Sequence, residues 1–162
     1  MVHDEDMARE MLRHTVATLA YRGDKAIRDV SDSVAGYRVG TSSRTPLEIL
    51  WHIGDLIDWA YHLAKDGRRY VESAQASWAD QTSRFFQNLK RLDDFLASDE
   101  PLVTSPGQIF QGPIADALTH VGQIAMLRRL AGRPVRGENY YMADIAVGRV
   151  GAEQSAPRRE FD

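Results

Sequence analysis

Residues 45–67, "TPLEILWHIGDLIDWAYHLAKDG", carry the clearest helix signal in the chain. Thr45 can cap a helix, Pro46 suits the first helical position, and Glu48 stands three residues after Thr45, which completes a capping box. Gly67 is typical of a helix end. Between these ends the apolar residues recur at the spacing of one helical face, namely Ile49, Leu56, Trp59 and Leu63. The stretch therefore predicts one amphipathic helix.

Three further stretches also show helical spacing. Residues 4–34 are dense in helix formers and contain no proline, which predicts one long helix with Gly23 as its weakest point. Residues 78–97 predict a third helix with an apolar face, capped by Ser77. The fourth runs from about 113 to 131, where Gly132 ends it.

The order of these helices predicts the fold class. Four helical patterns joined by loops, without an alternating strand-like run, indicate an all-α four-helix bundle. A chain of 162 residues has the length of one domain. We expect residues 1–132 to form the bundle. Residues 133–162 contain several glycines and prolines, so we expect an irregular tail packed on the bundle.

Composition narrows the function classes. With 20 basic and 23 acidic residues the net charge is −3, so the overall field is not strong enough to suggest nucleic acid or an anionic membrane as a partner. The absence of cysteine excludes disulfides, thiolate ligands and a cysteine nucleophile. The acidic N-terminus lacks the features of a signal peptide, and no run approaches the roughly 18 apolar residues of a membrane span. These features favour a cytoplasmic protein without a nucleic-acid or membrane partner.

A second stretch, residues 115–132 or "ADALTHVGQIAMLRRLAG", raises the question of a site. Asp116, His120 and Gln123 share one stripe of a helix that is otherwise apolar and therefore expected to be buried. Residues four apart lie about 6 Å from each other on one face, so Asp116 and His120 can offer an oxygen and a nitrogen to one ion. His52, in the apolar stripe of the second helix, is the candidate third ligand. Such a two-histidine, one-carboxylate set leaves coordination positions open.

A metal-free interpretation competes with this one. A histidine on an apolar face is more often hydrogen-bonded than metal-bound, and the helix dipole favours Asp116 in a first turn. The convergence of all three residues on one core nevertheless favours a metal site. Asp55, three residues after His52, is a candidate to orient that imidazole, with a solvated position as the alternative.

Three other residues are candidates to bind a cofactor or ligand. Gln123 could bond a ligand, or it could satisfy a neighbouring helix. Tyr140 and Tyr141 are adjacent in the tail, where one phenol could lie over the mouth of the bundle.

Two segments carry a family resemblance. Residues 50–67, "LWHIGDLIDWAYHLAKDG", and residues 116–132, "DALTHVGQIAMLRRLAG", resemble the two signature regions of the DinB-like (DinB/YfiT) superfamily. The resemblance extends from the first helix to about Gly132. It implies a four-helix bundle with up-down-down-up topology that binds a divalent metal through one histidine of the second helix and a histidine pair of the last.

The resemblance also implies a ligand set. His52 matches the first histidine and His120 the last, whereas Asp116 stands where the family usually has a histidine. A carboxylate shifts the preference toward harder metals. We expect Zn or Ni first, with Mn and Fe as the alternatives.

The resemblance finally implies a reaction class and an assembly. Members include transferases and isomerases that use a low-molecular-weight thiol, such as bacillithiol or mycothiol. A homodimer acting on a small-molecule substrate, with thiol-dependent S-transferase-like chemistry, is therefore expected. A metal-dependent hydrolase and a non-catalytic helical interaction or stress-response module are the alternatives, and no residue is assigned as the catalytic base.

Overall fold

The structure is a computed structural model that describes residues 2–162, with side chains from Asp4 onward. Most of these residues are helical, as predicted for an all-α fold. Within this range six α-helices follow in chain order: α1 (Val2–Ile27), α2 (Asp32–Ala35), α3 (Pro46–Lys65), α4 (Trp78–Ala97), α5 (Pro106–Ile109) and α6 (Ala115–Leu130). No helix among the described residues is long and apolar enough to cross a membrane.

Helix α3 begins and ends as its sequence predicts. The Thr45 hydroxyl accepts from the Glu48 N–H, and the Glu48 carboxylate accepts from the Thr45 N–H at 2.7 Å, so both halves of the capping box form. Gly67 has a φ of +70°, and its N–H donates to the carbonyl of His62 at 2.8 Å. Helix α4 also has the predicted bounds, with the Ser77 hydroxyl as its cap. These ends are set by local hydrogen bonds, which is why the sequence predicts them.

Helix α1 is shorter than predicted. It ends at Ile27, and Asp29, with a φ of +55°, places the chain in the left-handed region before the separate helix α2 begins. Gly23 does not break the helix. A Cβ at this position would collide with the ring of Phe85 on α4, so Gly23 allows two helices to approach closely.

The last helical segment starts earlier than predicted. Ser105 caps α5, and a π-helical turn, Phe110–Ile114, connects α5 directly to α6. Pro106 starts this segment instead of interrupting the chain, because proline suits a first helical position. Pro113 lies within the π-helical turn, where the wider backbone accommodates a residue that cannot donate an N–H.

Helix α3 packs against α4 and α6, and α1 packs against the same two helices. Two contacts between α3 and α4 show their relative direction. Arg84 of α4 donates to the carbonyl of Trp51 on α3. Seven residues further along each helix, Arg91 of α4 pairs with Asp58 of α3. Helices α3 and α4 therefore run in the same direction. The side chains between the long helices are fully buried, and they include Val16, Leu19, Leu50, Ile53, Phe85, Leu89 and Ile124.

The directions of α1 and α6 follow from three further contacts. Arg13 pairs with Asp93 at 2.9 Å. Ten residues later on α1, Gly23 lies against Phe85, which is eight residues earlier on α4, so these two helices are antiparallel. Arg128 donates to the carbonyl of Ala26 at 2.9 Å, which joins the last turns of α6 and α1. Helices α1 and α6 therefore run in the same direction.

Residues after α6 are mostly irregular and pack on α1. Two short strands, β1 (Gly137–Glu138) and β2 (Glu160–Phe161), pair antiparallel. The buried carboxylate of Glu138 accepts from the Tyr21 hydroxyl at 2.5 Å and from the Lys25 ammonium at 2.7 Å. Burial and the hydrogen bond to Glu138 raise the pKa of Tyr21, so its phenol stays protonated as the donor.

We predict that Gly23→Ala lowers the free energy of unfolding by about 1–3 kcal/mol, because the new methyl group must displace the Phe85 ring. The matched control is Gly122→Ala on α6, where a Cβ meets no atom within 4 Å. This change should stabilise the protein by up to about 1 kcal/mol through helix propensity. Urea denaturation measures both, and equal effects of the two variants would contradict the packing account.

Glu138→Gln replaces one of the two carboxylates that pair with the buried Lys25 ammonium by a neutral amide, while Glu160 remains as the other. We therefore expect it to cost about 1–3 kcal/mol of unfolding free energy. The exposed Glu153, changed to Gln, serves as the control and should alter stability by less than about 0.5 kcal/mol. A Glu138→Gln variant as stable as this control would show that the ion pair does not hold the tail.

Candidate metal centre

His52, Asp116 and His120 meet where α3 packs against α6. Each offers one ligand atom, and these atoms all lie within 4.8 Å of one another. Asp116 Oδ1 is 3.3 Å from His120 Nε2, and Asp116 Oδ2 is 3.8 Å from His52 Nε2. The two imidazole rings stand edge to face with their centroids 4.9 Å apart. The cluster, hereafter the metal centre, could hold a metal ion with coordination positions to spare.

The second ring nitrogen of each histidine is already occupied. His120 Nδ1 lies 2.8 Å from the Gln123 side-chain oxygen, which can only accept, so Nδ1 carries the proton. His52 Nδ1 lies 3.1 Å from the Tyr70 hydroxyl, which itself donates to Asp55 at 3.4 Å. His52 Nδ1 is therefore also the donor. Both Nε2 atoms then present a lone pair toward Asp116, which is the state that binds a metal.

Electrostatics favour the neutral form of His52. Burial lowers the pKa of this imidazole, and the neighbouring His120 and Arg44 lower it further. With both Nε2 lone pairs and the Asp116 carboxylate directed at one point, three electron-pair donors face one another. A cation between them offsets that repulsion, whereas a hydrogen bond requires one Nε2 to take up a proton.

Asp55 supports the centre through Tyr70 and not by direct contact with His52. Its carboxylate is almost fully buried and pairs with Arg84 at 2.5 Å. The Ser73 N–H donates to both of its oxygens at 3.3 Å, and the Tyr70 hydroxyl donates at 3.4 Å. Asp55 thus fixes the phenol that in turn orients His52.

The metal centre lies at the edge of the helix packing, and the predicted burial of this stripe was wrong. The exposed fraction of the side chain is 48% for Asp116, 22% for His52 and 13% for His120. The core-facing stripe of α6 is offset by one position and consists of Ala117, Val121 and Ile124. Because one position is about 100° of rotation, the ligands lie at the solvent-accessible edge of the α3–α6 contact and not in the core.

The structure does not bring the two tail tyrosines to the metal centre. The Tyr140 ring lies edge to face against Tyr21, with centroids 6.2 Å apart, and the guanidinium of Arg22 stands 4.1 Å from its centroid. Tyr141 is 97% exposed. The hydrogen bonds of Glu138 keep this part of the tail on α1, away from the ligands. The expectation that Tyr140 or Tyr141 lines the site is not met.

Sequence reasoning missed Tyr70. It lies in the irregular connection 66–77 between α3 and α4, where no periodic pattern marks a residue. Beside the metal centre this connection borders a cavity of about 430 Å³. Trp51, Tyr70 and His52 contribute to its lining, so a bound molecule would lie next to a metal ligand.

Comparisons of the chain with protein-family models, with curated proteins and with solved structures found no match.

We predict that Tyr70→Phe weakens zinc binding by about tenfold, because His52 loses the acceptor that holds its Nδ1–H. Competition with a chromophoric chelator measures the dissociation constant. Tyr141→Phe, which removes a hydroxyl from a fully exposed side chain, is the control and should bind zinc as the unchanged protein does. Equal affinities of both variants would contradict an orienting role for Tyr70.

Proposed function

We propose that the chain is a divalent-metal-dependent enzyme that transfers a group between a low-molecular-weight thiol and a small-molecule substrate. One observation carries the proposal. His52, Asp116 and His120 converge within 4.8 Å while both Nδ1 atoms are engaged elsewhere, which leaves three lone-pair donors directed at one point. Packing of α3 against α6 does not by itself require that both Nε2 atoms and the Asp116 carboxylate face one another.

The helix directions support the resemblance to the DinB-like superfamily. Helices α1 and α6 run in one direction and α3 and α4 in the other, since α1 is antiparallel to α4. We infer a four-helix bundle with up-down-down-up topology from these directions. The proposed metal also occupies the place that the resemblance implies, between the second and the last long helix.

The donor set fits a divalent ion. Two imidazole nitrogens and one carboxylate oxygen suit zinc or nickel, and the carboxylate also accommodates manganese or iron(II). When bound, such an ion lowers the pKa of a coordinated thiol and makes it nucleophilic near neutral pH. His52 and His120 are held in the correct tautomer by Tyr70 and Gln123, so no imidazole must give up a proton first.

The surroundings of the site support a reaction with an added thiol. The chain contains no cysteine, so the thiol has to enter as a cosubstrate. The cavity of about 430 Å³ beside His52 is of the size that small-molecule sites have. Asp116, whose side chain is half exposed, would leave a bound ion accessible to small molecules. The homodimer implied by the resemblance remains a prediction.

The test is thiol-dependent turnover by protein purified without an affinity tag, stripped with chelator and reloaded with Zn, Ni, Mn or Fe(II). We expect a conjugation activity with an electrophile that needs both the ion and the thiol. Asp116→Asn should lower it by more than about 100-fold, because a charged ligand is lost. Asp94→Asn, at an exposed ion pair on α4, should leave it unchanged.

Two results would contradict the proposal. Hydrolysis of activated esters by the loaded protein, with no response to thiol, would replace the transferase by a hydrolase. An ion-loaded protein inactive with every thiol and ester would favour a non-catalytic helical module.

A further inference from the structure

Two opposite charges line the cavity beside the metal centre without a partner. Arg44 and Glu72 form no ion pair and no hydrogen bond with any other described residue. The two other carboxylates of the lining are committed. Glu48 binds the guanidinium of Arg38 at 2.9 Å, in addition to its place in the capping box, and Asp55 is held by its three donors. Among the charged side chains of this lining that the structure describes, only Arg44 and Glu72 are therefore free to bind a ligand.

Arg44 and Glu72 reach the cavity from different parts of the chain. Arg44 immediately precedes the Thr45 cap of α3, and Glu72 lies in the connection 66–77, two residues after Tyr70. Both side chains are exposed, and both line the same cavity as Tyr70 and His52. A molecule in this cavity can therefore contact both charges beside a metal ligand.

We propose that Arg44 and Glu72 bind the two charged ends of a zwitterionic, amino-acid-like molecule, its carboxylate on Arg44 and its ammonium group on Glu72. A guanidinium matches a carboxylate through two parallel hydrogen bonds, and a carboxylate accepts readily from an ammonium. This inference deepens the proposed function and rests on it, because it names the chemical class of the thiol or substrate that reaches the metal centre.

The flat rings of Trp51 and Tyr70 form part of the same wall. Both rings can pack against the apolar part of a bound molecule. The Trp51 indole N–H donates to the Ser73 hydroxyl at 2.8 Å, so this ring is held in place before a ligand arrives.

Three thioethers of matched length test the inference. S-methyl-L-cysteine carries both charges, 3-(methylthio)propanoate only the carboxylate, and 2-(methylthio)ethylamine only the ammonium group. None has a free thiol that would extract the ion. Calorimetric titration of the full-length chain, with zinc and without it, measures each affinity. We expect the zwitterion to bind at least about tenfold more tightly than either singly charged probe.

Variants assign each end of the molecule. Arg44→Gln should weaken the two carboxylate-containing probes by about tenfold and leave the ammonium probe unchanged. Glu72→Gln should have the converse effect. Arg69→Gln is the matched control for Arg44→Gln. Arg69 is an exposed arginine of the connection 66–77, which also carries Glu72, and it does not line the cavity.

Equal affinity of the three probes for the protein, or the same loss in Arg69→Gln as in Arg44→Gln, would overturn the inference. The proposed function would survive that result if the protein still bound zinc. A chain that fails to bind zinc would instead contradict the proposed function, and the titrations without zinc would still decide whether Arg44 and Glu72 bind a zwitterion.

Discussion

The buried ion pair between Asp55 and Arg84 is the contact that joins the fold to the site. It fastens α3 to α4 at the level of His52, and the same carboxylate accepts from Ser73 and Tyr70 in the connection between these helices. A buried carboxylate without such donors would be strongly destabilising. The need of the Asp55 carboxylate for hydrogen-bond donors therefore holds the connection 66–77 against α3. Tyr70 of this connection in turn orients the imidazole of His52.

Helix direction explains why this connection lies over the site. Helices α3 and α4 are parallel, so the chain must return along the full length of α3, which is 20 residues or about 30 Å. Residues 66–77 can span about 40 Å when extended, at about 3.3 Å per residue. Because this reach only slightly exceeds the length of α3, the connection must run close along the surface of that helix. This path brings Tyr70 to His52 and Glu72 to the cavity. The helix directions therefore determine the position of two site residues that no periodic sequence pattern predicts.

Sequence predicts the parts of the structure that depend on local chemistry. The capping box at Thr45 and the Ser77 cap set helix ends correctly, and the spacing of Asp116 and His120 identifies two ligand candidates that the fold brings to His52. Elsewhere tertiary structure overrides local sequence patterns, and the predicted helix bounds and burial are wrong. The left-handed turn at Asp29 shortens α1, and a π-helical turn absorbs Pro113. The buried stripe of α6, which contains Ala117 and Val121, is offset by one position from the stripe that contains Asp116 and His120. Both stripes include apolar residues, so the periodicity of this helix alone does not show which one faces the core.

Metal content shows whether His52, Asp116 and His120 bind one divalent ion, as we propose. Plasma mass spectrometry should be applied to tag-free protein, to His52→Ala and Asp116→Ala, and to His62→Ala, whose histidine lies on α3 but pairs with Asp66. We expect about one ion per chain in the unchanged protein and in His62→Ala, and loss of the ion in the two ligand variants. A protein that retains no ion, and takes up none from added Zn, Ni, Mn or Fe(II), would contradict the proposed metal site.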